Sequence, residues 1–169
     1  MRISFDLDDT LFVNEKLVNV EKELKFPYKY FYKEKLRHGA IDLLKKIIEN
    51  NIELWIYTTS FRSPKYIKNY FHGYGIKVKT KNIVNGDRHV KEVQGNRNEI
   101  LPSKYPIKYK IDLHIDDDIS VKQNGDIYGF KVFLINNNMP NWVEELWEDI
   151  IKIKSTLENK LLNNGINIM

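Results

Sequence analysis

Residues 1–12 read MRISFDLDDTLF. An apolar run at 2–7 ends in three carboxylates, Asp6, Asp8 and Asp9. Crowded acids at the mouth of a buried strand repel one another and lose hydration, so a compensating charge is expected. The rest of the chain supplies candidates for that charge and for its partners.

The pattern predicts strands at 2–7, 52–60, 110–118 and 129–136, with a weaker one at 76–84. Helical spacing predicts helices at 14–25, 39–51, 63–75 and 141–162. Ser63 and Pro64 supply a cap and a first turn, and Gly73 or Gly75 a stop. Residues 85–108 are polar and rich in turn formers. Strands alternate with helices, which predicts an α/β class: a three-layer, Rossmann-like open sheet, mostly parallel, with helices on both faces. Nothing marks a linker, so one domain over 1–162 is expected, with 163–169 as a mobile tail.

In open parallel sheets, ligands bind outside the carboxyl ends of the strands. Three clusters fall there: Asp6/Asp8 after the first strand, Thr58/Thr59/Ser60 after the second, and Asp116/Asp117 after the fourth. Two unit charges ~4 Å apart at an effective dielectric of about 20 repel by roughly 4 kcal/mol. Such a cluster calls for a cation. Its donors are all oxygen, which points to a hard ion such as Mg²⁺. Mg²⁺ held by one or two carboxylates usually shares its shell with a substrate phosphate. The Thr58 and Thr59 hydroxyls can receive other phosphate oxygens, and a lysine would balance the remaining charge.

FDLDDTL, then a strand ending in threonine (LWIYTT), then a strand ending in acids (LHIDDD), resembles the haloacid dehalogenase (HAD) superfamily. The resemblance covers residues 1 to about 136. It implies that Asp6 is a nucleophile forming an aspartyl-phosphate and Asp8 a general acid and base. It implies a Mg²⁺ site of Asp6, Asp116 and the Asp8 backbone carbonyl, with Asp117 orienting the metal shell or the lysine. Thr58 would bond the phosphoryl group in flight, with Thr59 beside it in substrate binding. Asp8 favours phosphatase over dehalogenase chemistry. Lys104, Lys108 and Lys110 all qualify as the phosphate lysine, and Lys104 is preferred.

Several residues admit ordinary readings. Asp118 reads as a loop acid or helix cap, and His114 as a packed, hydrogen-bonded core histidine. Arg62 is a surface arginine or a substrate contact. Phe26, Tyr28, Tyr30, Phe31 and Tyr32 interleave with Lys29, Lys33 and Lys35. That stretch anchors the connection to the core, or stacks on bases while its lysines hold phosphates. Segment 14–36 occupies a cap position of the family but is too short for a full helical cap. The implied site is open, or closed by a neighbouring subunit.

Composition bounds the rest. The chain has 169 residues, a net charge of +4 and no cysteine. Disulfides and thiolate metal sites are therefore absent. Neither a signal peptide nor a membrane span is visible, so a cytoplasmic protein is expected. The basic balance is a modest hint of a phosphate-rich partner. The apolar spacing at 143, 146, 150, 153 and 157 suits packing on the sheet or, alternatively, a homodimer seam. The sequence reading is a Mg²⁺-dependent phosphomonoester hydrolase acting on a small molecule or polymer. A nucleotidase or polynucleotide 3′-phosphatase is one narrower version. A non-catalytic nucleic-acid-binding module on the same fold is the alternative.

Overall fold

Strand β1 (Arg2–Phe5) is buried from Ile3 onward on both faces, which only a covered central strand allows. A computed structural model describes residues 1–166 and places β1 at the centre of a five-stranded sheet. The others are β2 (Glu53–Tyr57), β3 (Ile83–Val84), β4 (Leu113–Asp116) and β5 (Val132–Leu134). The order is β3-β2-β1-β4-β5 and every pairing is parallel. The fold class expected from the sequence is the one observed.

The connecting helices are α1 (Ala40–Glu49), α2 (Pro64–Gly73), α3 (Gly86–His89), α4 (Ile119–Tyr128) and α5 (Trp142–Ile166). Side chains alternate across each strand, so the two faces build separate cores. Ile3, Phe5, Leu54 and Ile56 face α1, α2 and α5. Trp55 and Tyr57 face Val93 and Tyr109 on the opposite side, where Val121 of α4 packs on Phe130 and Val132. α5 lays Trp142, Leu146 and Ile150 on the first core.

The chain runs outward from β1 through β2 to β3, then returns past β1 to β4. Strand order therefore reverses between β1 and β4, where a crevice opens at the carboxyl edge. Register fixes what meets there. Phe5 pairs with Ile115, so the next residues, Asp6 and Asp116, lie side by side.

Some expectations need correction. Residues 14–25 form turns, not a helix. The Asn14 side chain takes the Lys16 N–H, its carbonyl takes those of Leu17 and Val18, and Val20 bridges to Arg37. The 76–84 strand shrinks to β3; Ile76 and Val78 are buried outside it. The polar stretch 85–108 contains α3 and a π-helical turn, Val90–Gln94. Lys110 precedes β4 and sits at φ +52° closing a 3-10 turn, not within a strand. Of the expected tail, 163–166 continue α5, and 167–169 lie outside the described residues. Among the described residues no helix is long and apolar enough to cross a membrane.

Candidate active site

Asp6 leaves β1 with its N–H on the Ile115 carbonyl (2.9 Å), which pins it to the neighbouring strand end. It is 7% exposed and Asp116 2%. Lys104, 3% exposed, reaches between them: Nζ donates to Asp6 Oδ1 (2.5 Å) and Asp116 Oδ2 (3.1 Å). Two carboxylates share one ammonium in a setting where unpaired charge would be costly. Lys108 and Lys110 are exposed and do not join them.

Burial pushes the Asp6 carboxyl up to about 6 against the pull of Lys104, with Asp116 adding repulsion. Burial also acts on Asp116, but the His114 hydrogen bond and Lys104 outweigh it and hold this carboxyl at about 2. The Lys104 pKa rises: burial disfavours its charge, and the two carboxylates more than compensate. His114 Nε2 lies 2.9 Å from Asp116 Oδ2, and its Nδ1 lies 2.8 Å from Ser4 Oγ. Burial lowers the His114 pKa, so the neutral ring donates from Nε2 and accepts the Ser4 hydroxyl at Nδ1. This histidine is packed and hydrogen-bonded, and it orients a site carboxylate.

Asp117 completes an acidic group: one oxygen from each of Asp6, Asp116 and Asp117 lies within 4.8 Å of the others. Thr10 donates to Asp117 Oδ1 (2.7 Å). The donor set is all carboxylate oxygen, two of the three residues are buried, and the geometry suits a hard divalent cation. The Asp8 carboxylate is not part of that group. It turns to the mouth, half exposed, and pairs with Arg62 Nη1 (2.8 Å). Arg62 also donates from Nε to Glu34 (3.1 Å) and from Nη1 to Ser60 Oγ (2.8 Å).

Thr58 is fully buried, its N–H on the Val84 carbonyl (2.9 Å) and its Oγ1 accepting the Ser60 N–H (3.1 Å). Thr59 is exposed beside it. Gly86 has no room for a side chain, since a Cβ would lie 2.6 Å from the Thr59 carbonyl. Asp118 caps α4 by accepting the Ser120 N–H (2.7 Å). The Lys104 loop is anchored next door, where the Tyr105 N–H donates to Tyr57 Oη (3.0 Å) and Tyr57 pairs with His89 Nδ1 (2.6 Å).

Sequence reasoning missed Arg37. Its guanidinium is 1% exposed and donates to the carbonyls of Thr10 (2.7 Å) and Asp9 (2.8 Å) and to Asn137 Oδ1 (3.3 Å). It ties the loop carrying Asp8, Asp9 and Thr10 to the loop after β5. Its signal was faint: one basic residue between buried Leu36 and the Gly39 helix start.

No family model matches the sequence, and no curated protein matches it. Among solved structures, a HAD-superfamily hydrolase from Ehrlichia chaffeensis is 15% identical, with 86% of this chain and 96% of that one covered and a TM-score of 0.44. The fission yeast RNA polymerase II CTD phosphatase, bound to beryllium fluoride, is 16% identical over 98% of this chain and 56% of that one, with a TM-score of 0.42. A hypothetical protein from Pyrococcus horikoshii is 13% identical over 78% of this chain and 40% of that one, with a TM-score of 0.34. This chain thus spans about half or less of the length of the last two. Likenesses this slight decide nothing about chemistry. The parallel order β3-β2-β1-β4-β5, with acids closing β1 and β4 at the switch point, is a doubly wound, Rossmann-like α/β sheet.

Proposed function

We propose that the protein is a Mg²⁺-dependent phosphohydrolase that moves a phosphoryl group from a phosphomonoester to Asp6 and then to water. The observation that carries this reading is the buried Asp6–Lys104–Asp116 cluster at the mouth of a parallel sheet, with Asp117 beside it. A buried carboxylate whose pKa is pushed up, paired with a specific cation in a crevice and set beside a third acid, is the arrangement of a functional site.

Asp6, Asp116 and Asp117, with the Asp8 backbone carbonyl, would hold Mg²⁺, which when bound screens the nucleophile from the phosphate it meets. An Asp6 oxygen attacks phosphorus, and the bond from phosphorus to the leaving oxygen breaks. Asp8 gives that oxygen its proton. Lys104 and the Thr58 hydroxyl hold the phosphoryl oxygens, with Thr59 beside them. Water then attacks the aspartyl-phosphate, Asp8 takes its proton, the phosphorus–Asp6 bond breaks and phosphate leaves. The Asp8–Arg62 ion pair must open as the leaving oxygen takes its place. Segment 14–36 adds no lid of helical size, so the open mouth suits a phosphate carried on something large.

Hydrolysis of p-nitrophenyl phosphate with and without Mg²⁺ tests this. The wild type should be active only with the metal, and Asp6→Asn should be inactive. Equal activity in the variant would sink the mechanism.

A further inference from the structure

Among the described residues, the strongly exposed large hydrophobic side chains include four aromatics: Phe26 (77%), Tyr30 (62%), Phe31 (70%) and Phe61 (70%). Their placement is not scattered. Three lie on one short segment, and the fourth precedes Arg62 at the site mouth. Single exposed apolar residues are ordinary, but a concentration of exposed rings on one short segment marks a binding face.

The segment is divided between anchor and display. Tyr32 packs inward, its ring 4.7 Å from that of Tyr66, and Tyr28 lies against Gly73, where a Cβ would meet its ring at 3.0 Å. Both belong to the partly buried margin of the core. Phe26 and Tyr30 instead meet edge to face at 6.0 Å in solvent. The core therefore accounts for two of the five aromatics and leaves three facing water.

Charge follows the same division. Lys25, Lys29, Lys33 and Lys35 stand on this stretch. Its one acid, Glu34, is engaged by Arg62 and the Tyr66 hydroxyl, and the preceding Glu23 by Lys35 (2.5 Å). None of Lys25, Lys29 and Lys33 has a carboxylate within 4 Å among the described residues. A groove of about 280 Å³ runs between Tyr30, Tyr32, Tyr74, Lys29 and Lys33. Glu34 forms one wall of it and also holds Arg62, which holds Asp8. A chain of ion pairs, Glu34–Arg62–Asp8, thus connects the groove with the reaction centre.

We propose that this face binds single-stranded nucleic acid and presents its terminal phosphate to Asp6, an inference that rests on the phosphohydrolase reading above. Exposed rings stack on unpaired bases, which a duplex hides, while flexible ammonium groups follow the backbone without reading sequence. An acidic peptide would use the lysines but leave the flat rings without stacking partners.

The experiment compares wild type, Tyr30→Ala/Phe31→Ala and Lys29→Ala/Lys33→Ala. The substrates are p-nitrophenyl phosphate, a single-stranded oligothymidylate phosphorylated at its 3′ or its 5′ end, and an acidic phosphopeptide. The altered side chains are exposed and outside the catalytic set. The aromatic variant should raise KM for a phosphorylated oligonucleotide about tenfold or more. The lysine variant should flatten the salt dependence of binding, measured by fluorescence anisotropy in EDTA, by about one power of salt for each phosphate it no longer neutralises. Both should turn over p-nitrophenyl phosphate like wild type. Preference for either oligonucleotide end supports the proposal and identifies the end. The docking face alone is overturned if p-nitrophenyl phosphate is hydrolysed while the variants treat oligonucleotide like wild type, or while the phosphopeptide is the better substrate. Oligonucleotide binding without hydrolysis of any substrate overturns the phosphohydrolase reading, and delivery of the phosphate with it.

Discussion

Replacing Lys104 with methionine keeps most of the stem and removes the ammonium from between Asp6 and Asp116. Breaking a buried pair by removing one partner costs about 3–5 kcal/mol, since the other charge is left uncompensated. For a chain of this size that corresponds to a fall in Tm of about 6–20 °C. The pH dependence follows from the same contacts. Lys104 lowers both carboxyls, and Asp6 already stands at about 6 with it present. Without it Asp6 rises further and Asp116 loses part of what holds it low, so folded Asp6 holds a proton that the unfolded chain releases. The variant's penalty is therefore full at pH 8 and shrinks as pH falls toward 5, where protonation removes the exposed repulsion. Thermal unfolding in EDTA at both pH values measures this. Added Mg²⁺ should then restore more stability to the variant than it adds to wild type. A variant with wild-type Tm at pH 8, or one equally destabilised at both pH values, would refute the reasoning.

Other perturbations test the scaffold. Arg37→Ala should cost about 3 kcal/mol or more in urea denaturation and lower kcat, because the loop bearing Asp8 loses its buried donors. Arg37→Lys should not rescue it, since one ammonium cannot span the same carbonyls. Gly39→Ala should cost about 1–3 kcal/mol: Gly39 sits at φ +83° and a Cβ would lie 2.7 Å from Val143 Cγ2. Val143→Ala should relieve only the steric clash and leave the backbone strain, as the double variant's Tm would show. Asp118→Ala should cost about 1 kcal/mol with kcat little changed, because the N–H that Asp118 gives to Asp116 Oδ1 is backbone.

What the sequence revealed depended on whether a signal was local. Apolar runs ending in polar residues marked β1, β2, β4 and β5, since a covered parallel strand must be apolar throughout and can meet water only at its ends. Asp6, Asp116 and Thr58 followed from that rule alone. Lys104 was legible only as one of several lysines: its burial between two acids depends on a loop that Tyr57 and Tyr105 hold from the opposite face. Arg37 was hidden because a buried arginine bonding to backbone carbonyls has no sequence pattern. The helix expected at 14–25 failed because Asn14 closes a turn and Val20 and Phe12 pair with 36–37, contacts across the chain that outweigh local spacing. The aromatic stretch at 26–35 is divided, with Tyr28 and Tyr32 anchored on the core and Phe26, Tyr30 and Phe31 in solvent.

The nucleophile is the centre of the account, and it can be trapped. Asp8→Asn lacks the acid and base, but p-nitrophenol leaves without needing a proton, so the first step survives and the second stalls. Acid quench of this variant with p-nitrophenyl phosphate and Mg²⁺, followed by peptide mass mapping, should find a phosphoryl group on Asp6. Nitrophenol release with Asp6 unmodified, or with the phosphoryl group on another residue, would contradict it.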